Sequence, residues 1–243
     1  MITEFQIQFD KLADKVLAVA NTDASSLSEI EIWRTRHFAK IAKMFDSFLA
    51  ILGGPKDYVT LCALIRMIYD NWYSFLWIYE KSEGENVQLR YYLYVLDSIK
   101  QRETSMLGMH DEKVEDSRLQ SLYDSTLADC NRAKQQYEDA IKSLLLYKDY
   151  RDNIESARKS YDSWRYKDIK AAKMEFYSWS GLYEKISTKE TRAFLNYMSQ
   201  YVHGLYASTL TMVPTEEDLL YVLGEAQRLI MSINLYLDDN PLR

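Results

Sequence analysis

The stretch "LCALIRMIYDNWYSFLWIYE", residues 61–80, decides the fold of this chain. Its only charged residues are Arg66, Asp70 and Glu80, among apolar and aromatic side chains. Two charges near the middle argue against a membrane span, because each costs roughly 2.5–3.5 kcal/mol at the centre of a bilayer. A helix that is apolar on nearly all sides is typical of the centre of a bundle. We therefore predict a central helix from about residue 55 to residue 81.

The composition favours helices throughout. The 243 residues include 7 Gly and 3 Pro, and Leu, Ala, Tyr, Met, Lys and Glu dominate. We predict an all-α helical bundle of about eight to ten helices, forming one domain over residues 1–243. The N-terminus lacks an apolar signal-peptide core, so a cytoplasmic location is expected. The net charge of −6 does not favour non-specific attraction to nucleic acid.

Residues 111–170 carry 13 acidic and 12 basic side chains and no Gly or Pro. Apolar residues recur there at steps of three, four and seven. This pattern predicts a long mixed-charge helical hairpin over about residues 112–165, with its turn near "YKDYRDN", residues 147–153. The apolar positions are Tyr123, Leu127, Cys130, Tyr137, Ile141 and Leu144, then Tyr150, Ile154, Ala157, Tyr161 and Trp164.

Local signals predict where other helices begin and end. A capping box, in which a Ser or Thr and an acidic residue three positions later bond to each other's backbone amides, is expected at three places. The pairs are Ser28 with Glu31 (or Ser26 with Glu29), Ser187 with Glu190, and Thr215 with Asp218. A loop is expected around Gly108, with His110 in it. His37, beside Arg34 and Arg36, is expected at the surface.

The two cysteines, Cys62 and Cys130, belong to no CxxC or Cys/His cluster, so we expect buried reduced thiols. The chain has no HExxH motif, no pair of ExxH motifs and no Gly-rich phosphate loop. We therefore expect no metal and no cofactor.

Two polar stripes stand out, each with residues spaced four, three, four and three. Residues at this spacing share one helix face. The first lies on the central helix and the second on a helix near the C-terminus. Their members are Arg66, Asp70, Tyr73, Trp77 and Glu80, and Arg192, Asn196, Ser199, His203 and Tyr206.

A charge inside an apolar helix needs a partner, because an unpaired buried charge costs several kcal/mol. We predict that the two stripes meet, with Arg90 as a further contributor. The predicted binding residues are Arg66, Asp70, Arg192, Asn196, Ser199, His203 and Tyr206. Candidates for catalysis are His203, Arg66, Asp70 and Ser199. The alternative is structural: Ser199 bonds back to the Leu195 carbonyl, and His203 satisfies an acid.

Three segments carry a resemblance to a known group: "LIRMIYDNWYSFLWIYE" at 64–80, "WRYKDIKAAKMEFYSWSGLYE" at 164–184 and "FLNYMSQYVHGLYAS" at 194–208. Over roughly residues 40–235 the chain resembles an uncharacterised family of bacterial all-helical proteins. That family is distantly similar to the HEPN and abortive-infection groups. The resemblance places family positions at Arg66, Asp70, Tyr197, Ser199, His203 and Gly204. The acid of that family is often Glu, so Asp70 is a shortened variant.

Because the sequence shows no complete catalytic set, we expect a non-catalytic ligand- or partner-binding module, which the resemblance would place in bacterial stress or phage defence. The alternative is a metal-independent ribonuclease with His203 as acid and base and Arg66 or Arg192 on phosphate. HEPN ribonucleases carry Arg and His four to six residues apart, whereas ten residues separate Arg192 from His203 here. RNA is therefore not the favoured partner. A homodimer through helical surfaces is expected.

Overall fold

The computed structural model describes residues 2–20, 27–54, 56–110, 117–202 and 215–242. Within these ranges the chain forms ten α-helices, which confirms the all-α prediction. They are α1 Ile2–Ala20, α2 Glu29–Gly53, α3 Tyr58–Phe75, α4 Glu85–His110, α5 Ser117–Ser143, α6 Leu145–Asp149, α7 Arg151–Lys159, α8 Trp179–Ile186, α9 Lys189–Val202 and α10 Glu216–Asp239. A π-helical turn, Leu76–Glu80, follows α3, and a 3₁₀ turn covers Ser163–Arg165.

The chain divides into two compact units. Unit 1 comprises Met1–Leu76 and Tyr183–Arg243, and unit 2 comprises Trp77–Leu182. The expectation of one domain over residues 1–243 stays a prediction. None of the described helices is long and apolar enough to cross a membrane.

In unit 1, α3 packs against α2, α9 and α10, as expected for the predicted central helix. Its side chains at Leu61, Ile65, Ile68 and Phe75 are fully buried. Burying each side chain of this size stabilises the fold by about 1.5–3 kcal/mol. The Cys62 thiol is also buried and free, and burial raises its pKa to about 12.

His37 corrects a prediction, because its side chain is only 6% exposed. It follows Trp33 and precedes Ile41 and Phe45 at steps of four, so it lies on the buried face of α2 while its charged neighbours in sequence do not. Its ring lies edge-on to Phe75 with the centroids 5.9 Å apart. Burial, with a smaller contribution from the Lys40 charge, lowers the pKa of His37 to about 3.

In unit 2, α4 pairs with α5, and Glu103 on α4 forms an ion pair with Lys134 on α5 at 3.2 Å. The predicted loop around Gly108 is wrong, because α4 continues through Gly108 to His110. A glycine inside a helix costs only about 0.5–1 kcal/mol relative to alanine, so a single glycine does not have to end one.

The mixed-charge segment forms α5 and then two short helices rather than two long arms. The helical hydrogen bonding is interrupted at Leu144 and again at Tyr150. The second interruption lies within the predicted turn. Arg158 on α7 forms an ion pair with Glu138 on α5 at 2.8 Å, which joins these two helices. Most predicted apolar positions are buried, but Tyr161 is 56% exposed.

The loop after α7 brings two stretches of backbone together. Tyr166 and Phe176 form an isolated antiparallel bridge, flanked by bonds from the Lys167 amide to the Glu175 carbonyl and from the Tyr177 amide to the Arg165 carbonyl. The bridge holds Tyr166 in a fixed position beside α4, where it lines a cavity described below.

Candidate functional site

The first candidate site is the Arg66 cluster, made of Arg66, Asp70, Tyr183 and Ser199 in unit 1. Arg66 Nε donates to Asp70 Oδ1 at 3.1 Å, and Nη1 donates to Ser199 Oγ at 2.6 Å and to the Leu195 carbonyl at 3.0 Å. Nη2 donates to the Tyr183 hydroxyl at 2.9 Å. One guanidinium therefore joins α3, α8 and α9.

The Asp70 carboxylate of the Arg66 cluster accepts hydrogen bonds from two side chains, Arg66 and Tyr183. The Tyr183 hydroxyl also donates to Asp70 Oδ1, and the Arg66 guanidinium lies 5.0 Å from the centroid of the Tyr183 ring. Burial raises the pKa of Asp70, while the bonds from Tyr183 and Arg66 act in the opposite direction. Burial and the Asp70 charge raise the pKa of Tyr183, so the phenol stays protonated as a donor.

The prediction that the two stripes meet holds for Arg66, Asp70 and Ser199. Ser199 also donates back to the Leu195 carbonyl at 2.9 Å, as the structural alternative expected. Four hydrogen bonds occupy the five N–H groups of Arg66 almost completely. The guanidinium is therefore committed to the protein and offers little to a phosphate.

None of the other predicted residues that the structure describes is hydrogen-bonded to Arg66. Arg192 is half-buried and has Glu184 at 3.7 Å, and Asn196 is exposed. The ring of Tyr73 lies 5.5 Å from that of Tyr183. Trp77 and Glu80 belong to the π-helical turn in unit 2. His203, Gly204 and Tyr206 lie outside the described residues.

Sequence reasoning missed Tyr183, because no stripe pattern on the short helix α8 marks it. The resemblance named Tyr197 but not its partners: its hydroxyl contacts that of Tyr58 at 2.7 Å and donates to Asp218 Oδ1 at 3.1 Å. This network ties α9 to the starts of α3 and α10. The N-terminus of α9 is capped by the Thr188 hydroxyl, which accepts from the Thr191 amide at 3.3 Å, in place of the predicted Ser187 box.

The second candidate site is the Arg90 cavity in unit 2, with a volume of about 450 Å³. Arg90 on α4 is only 5% exposed. Its guanidinium lies between two aromatic rings, 4.1 Å from the centroid of Trp77 and 4.2 Å from that of Tyr166. The cavity is lined by Glu80, Lys81, Ser82, Glu83, Asn86, Arg90, Tyr166, Lys167, Asp168, Ile169 and Lys170.

No carboxylate among the described residues forms an ion pair with Arg90, and its Nε and Nη1 are enclosed without a hydrogen-bond acceptor. Burial lowers the pKa of Arg90, and the Tyr166 phenol acts in the opposite direction. The Tyr166 hydroxyl is itself directed to Asn86 Oδ1 at 2.8 Å. The two rings hold the cation by cation–π attraction of about 0.5–2 kcal/mol each, but they do not neutralise it.

Among the described residues, no group of three or more His, Cys, Asp or Glu side chains could hold a metal ion. Comparison of the chain with protein-family models, with curated proteins and with solved structures found no match. The resemblance to the HEPN-like families therefore stays a prediction, and the function is argued from the two sites themselves.

Proposed function

We propose that this chain is a ligand-binding module and that the Arg90 cavity holds a small polar ligand. One observation carries the proposal: an enclosed, fixed guanidinium lies in the wall of a cavity of about 450 Å³. This volume falls within the range of roughly 300–1,000 Å³ that small-molecule sites occupy. Polar and charged side chains make up most of the lining, which favours a polar ligand over an apolar one.

Two side chains that line the Arg90 cavity, Arg90 and Tyr166, are held in place by the protein, which also supports a ligand-binding role. Trp77, Arg90 and Tyr166 stack with the cation between the rings, and the Tyr166–Phe176 bridge holds one wall in place. A site whose groups are already ordered spends less free energy on ordering when a ligand binds.

The test is thermal unfolding with four probes of different charge: inorganic phosphate, acetate, glycerol and ethanolamine. At least one should raise the melting temperature of the wild-type chain, and Ser82→Trp, which fills the cavity, should abolish the rise. Ser125→Trp, on the exposed face of α5, is the matched control and should keep it. The proposal fails if no probe acts, or if Ser82→Trp responds as the wild type does.

The ribonuclease alternative stays a prediction; against it, four hydrogen bonds within the protein occupy most of the Arg66 donors that would bind a phosphate. The setting in bacterial stress or phage defence and the cytoplasmic location stay predictions.

We also propose a homodimer through helical surfaces. Leu107 near the end of α4 and Leu119 and Leu122 near the start of α5 are each more than half exposed, and apolar side chains at such positions gain free energy when a partner covers them. Sedimentation at micromolar concentration should show a dimer that Leu119→Glu with Leu122→Glu dissociates. A wild-type monomer would contradict the proposal, and Ser121→Glu is the control for added charge.

A further inference from the structure

The Arg90 cavity has an imbalance of charge that indicates which ligands it takes. Its only enclosed charged side chain is the cation Arg90, whereas the acids Glu80, Glu83 and Asp168 are exposed at its rim. Water and salt screen charges at the rim far more than a charge enclosed by protein. The field inside the cavity is therefore positive.

The rim adds further cations. Lys81 and Lys170 are exposed, and neither forms an ion pair with a carboxylate among the described residues. One of the rim acids is already engaged, since Asp168 Oδ1 accepts from the Lys170 amide at 2.9 Å. Lys167 is also engaged, with Glu175 at 2.7 Å. Lys81 and Lys170 therefore leave two exposed cations on the cavity lining, where screening makes their contribution smaller than that of Arg90.

Two of the three guanidinium nitrogens of Arg90, Nε and Nη1, are buried without an acceptor, and each such group costs about 1–3 kcal/mol in stability. Such a cost is commonly found where a binding site needs the group. We infer that the Arg90 cavity binds the oxyanion group of a small metabolite, a phosphate or a carboxylate, with Arg90 as its principal ligand. This inference rests on the proposed function of the cavity and adds the chemical class of what it holds.

The test measures affinity by calorimetry for the same four probes in the wild type, in Arg90→Met and in Arg132→Gln. Methionine keeps an apolar chain between the two rings, and Arg132 is an exposed arginine of the same unit whose loss matches the change in charge. Phosphate or acetate should bind the wild type and Arg132→Gln equally, and bind Arg90→Met at least tenfold more weakly. The stronger of the two identifies the group as phosphate or carboxylate.

Arg90→Lys provides a second variant, which keeps the charge and should retain part of the anion affinity even where Arg90→Met folds poorly. The inference is overturned if glycerol or ethanolamine binds in preference to both anions, or if anion affinity is the same in Arg90→Met and the wild type. If only glycerol or ethanolamine binds, and Ser82→Trp abolishes that binding, the cavity still binds a ligand and the proposed function holds. The inference that the ligand is an anion would then be wrong. Absence of binding to any probe would overturn both.

Discussion

Arg66 shows how one side chain can organise three helices. Its guanidinium bonds to a carboxylate on its own helix, to a phenol on α8 and to two oxygens on α9. A hydrogen bond to a charged group contributes about 1.5–3 kcal/mol, and a buried charge that loses its partner is strongly destabilising. The saturation of its donors indicates that Arg66 contributes chiefly to stability.

We therefore predict that Arg66→Met lowers the free energy of unfolding by about 2–4 kcal/mol, because it leaves the Asp70 carboxylate without its cation. Denaturant unfolding measures the change. The double variant Arg66→Met with Asp70→Asn should lose less than the sum of the two single variants, since it removes both charges. Arg192→Gln, which breaks only a long ion pair, should stay within about 0.5 kcal/mol of the wild type. Additive single effects would show that Arg66 and Asp70 do not act together.

His37 gives a prediction for the dependence of stability on pH. Its pKa is about 3 in the folded chain and about 6.5 when unfolded. At a pH between these two pKa values, His37 is protonated in the unfolded chain and neutral in the folded chain. The free energy of unfolding therefore falls as the pH falls. Relative to His37→Phe, the wild type should lose about 2 kcal/mol of unfolding free energy between pH 7 and pH 5.

The comparison with His37→Phe cancels the contributions of other groups. Asp70 and Glu225 have raised pKa values and act with the opposite sign, but they are present in both proteins. A constant difference across this range of pH would mean that His37 takes up its proton as readily in the folded chain as in the unfolded chain.

At the scale of the helices, sequence reasoning succeeded where the determinant is local. The capping boxes at Ser28 with Glu31 and at Thr215 with Asp218 are both present, because a cap needs only residues three positions apart. The meeting of Arg66 and Asp70 with Ser199 was predictable for a related reason, since charges in an apolar helix require partners.

Sequence reasoning failed where distant packing decides. α4 passes through Gly108, and α3 changes to i→i+5 hydrogen bonding at Leu76 with no breaker residue to mark the place. Tyr183 bonds to Arg66 although 117 positions separate them in sequence, because the fold places α8 beside α3 at this point. Arg90 was expected to join that site, yet it lies between Trp77 and Tyr166 in unit 2.

Gly108 allows a direct test of the helical path. A Cβ added there meets no atom within 4 Å, so Gly108→Ala should stabilise the chain by about 0.5–1 kcal/mol through reduced entropy of the unfolded state. Gly84, at φ 55°, also has open space, but its backbone is left-handed. Gly84→Ala should therefore destabilise by about 1 kcal/mol. Denaturant unfolding measures both, and a loss of stability in Gly108→Ala would contradict a helix at that position.

At the scale of the whole molecule, the two places where the chain passes between the units are helical. The π-helical turn Leu76–Glu80 contains one crossing and α8 contains the other, between Leu182 and Tyr183. Boundaries between independent domains usually fall in exposed, flexible linkers with few contacts. Both crossings lie inside helical segments instead, and the single-domain prediction can be tested by unfolding.

We therefore predict a single calorimetric unfolding transition, with equal calorimetric and van't Hoff enthalpies. Two core variants assign it to the units: Phe194→Ala in unit 1 and Ile154→Ala in unit 2, both at fully buried positions. Each should lose about 2–5 kcal/mol and lower the melting temperature of that one transition by roughly 5–15 °C. If the units unfold separately, each variant will shift its own transition and leave the other in place. Since a cooperative fold transmits a local loss to every element, the two variants should also raise amide exchange in α3 and α5 alike.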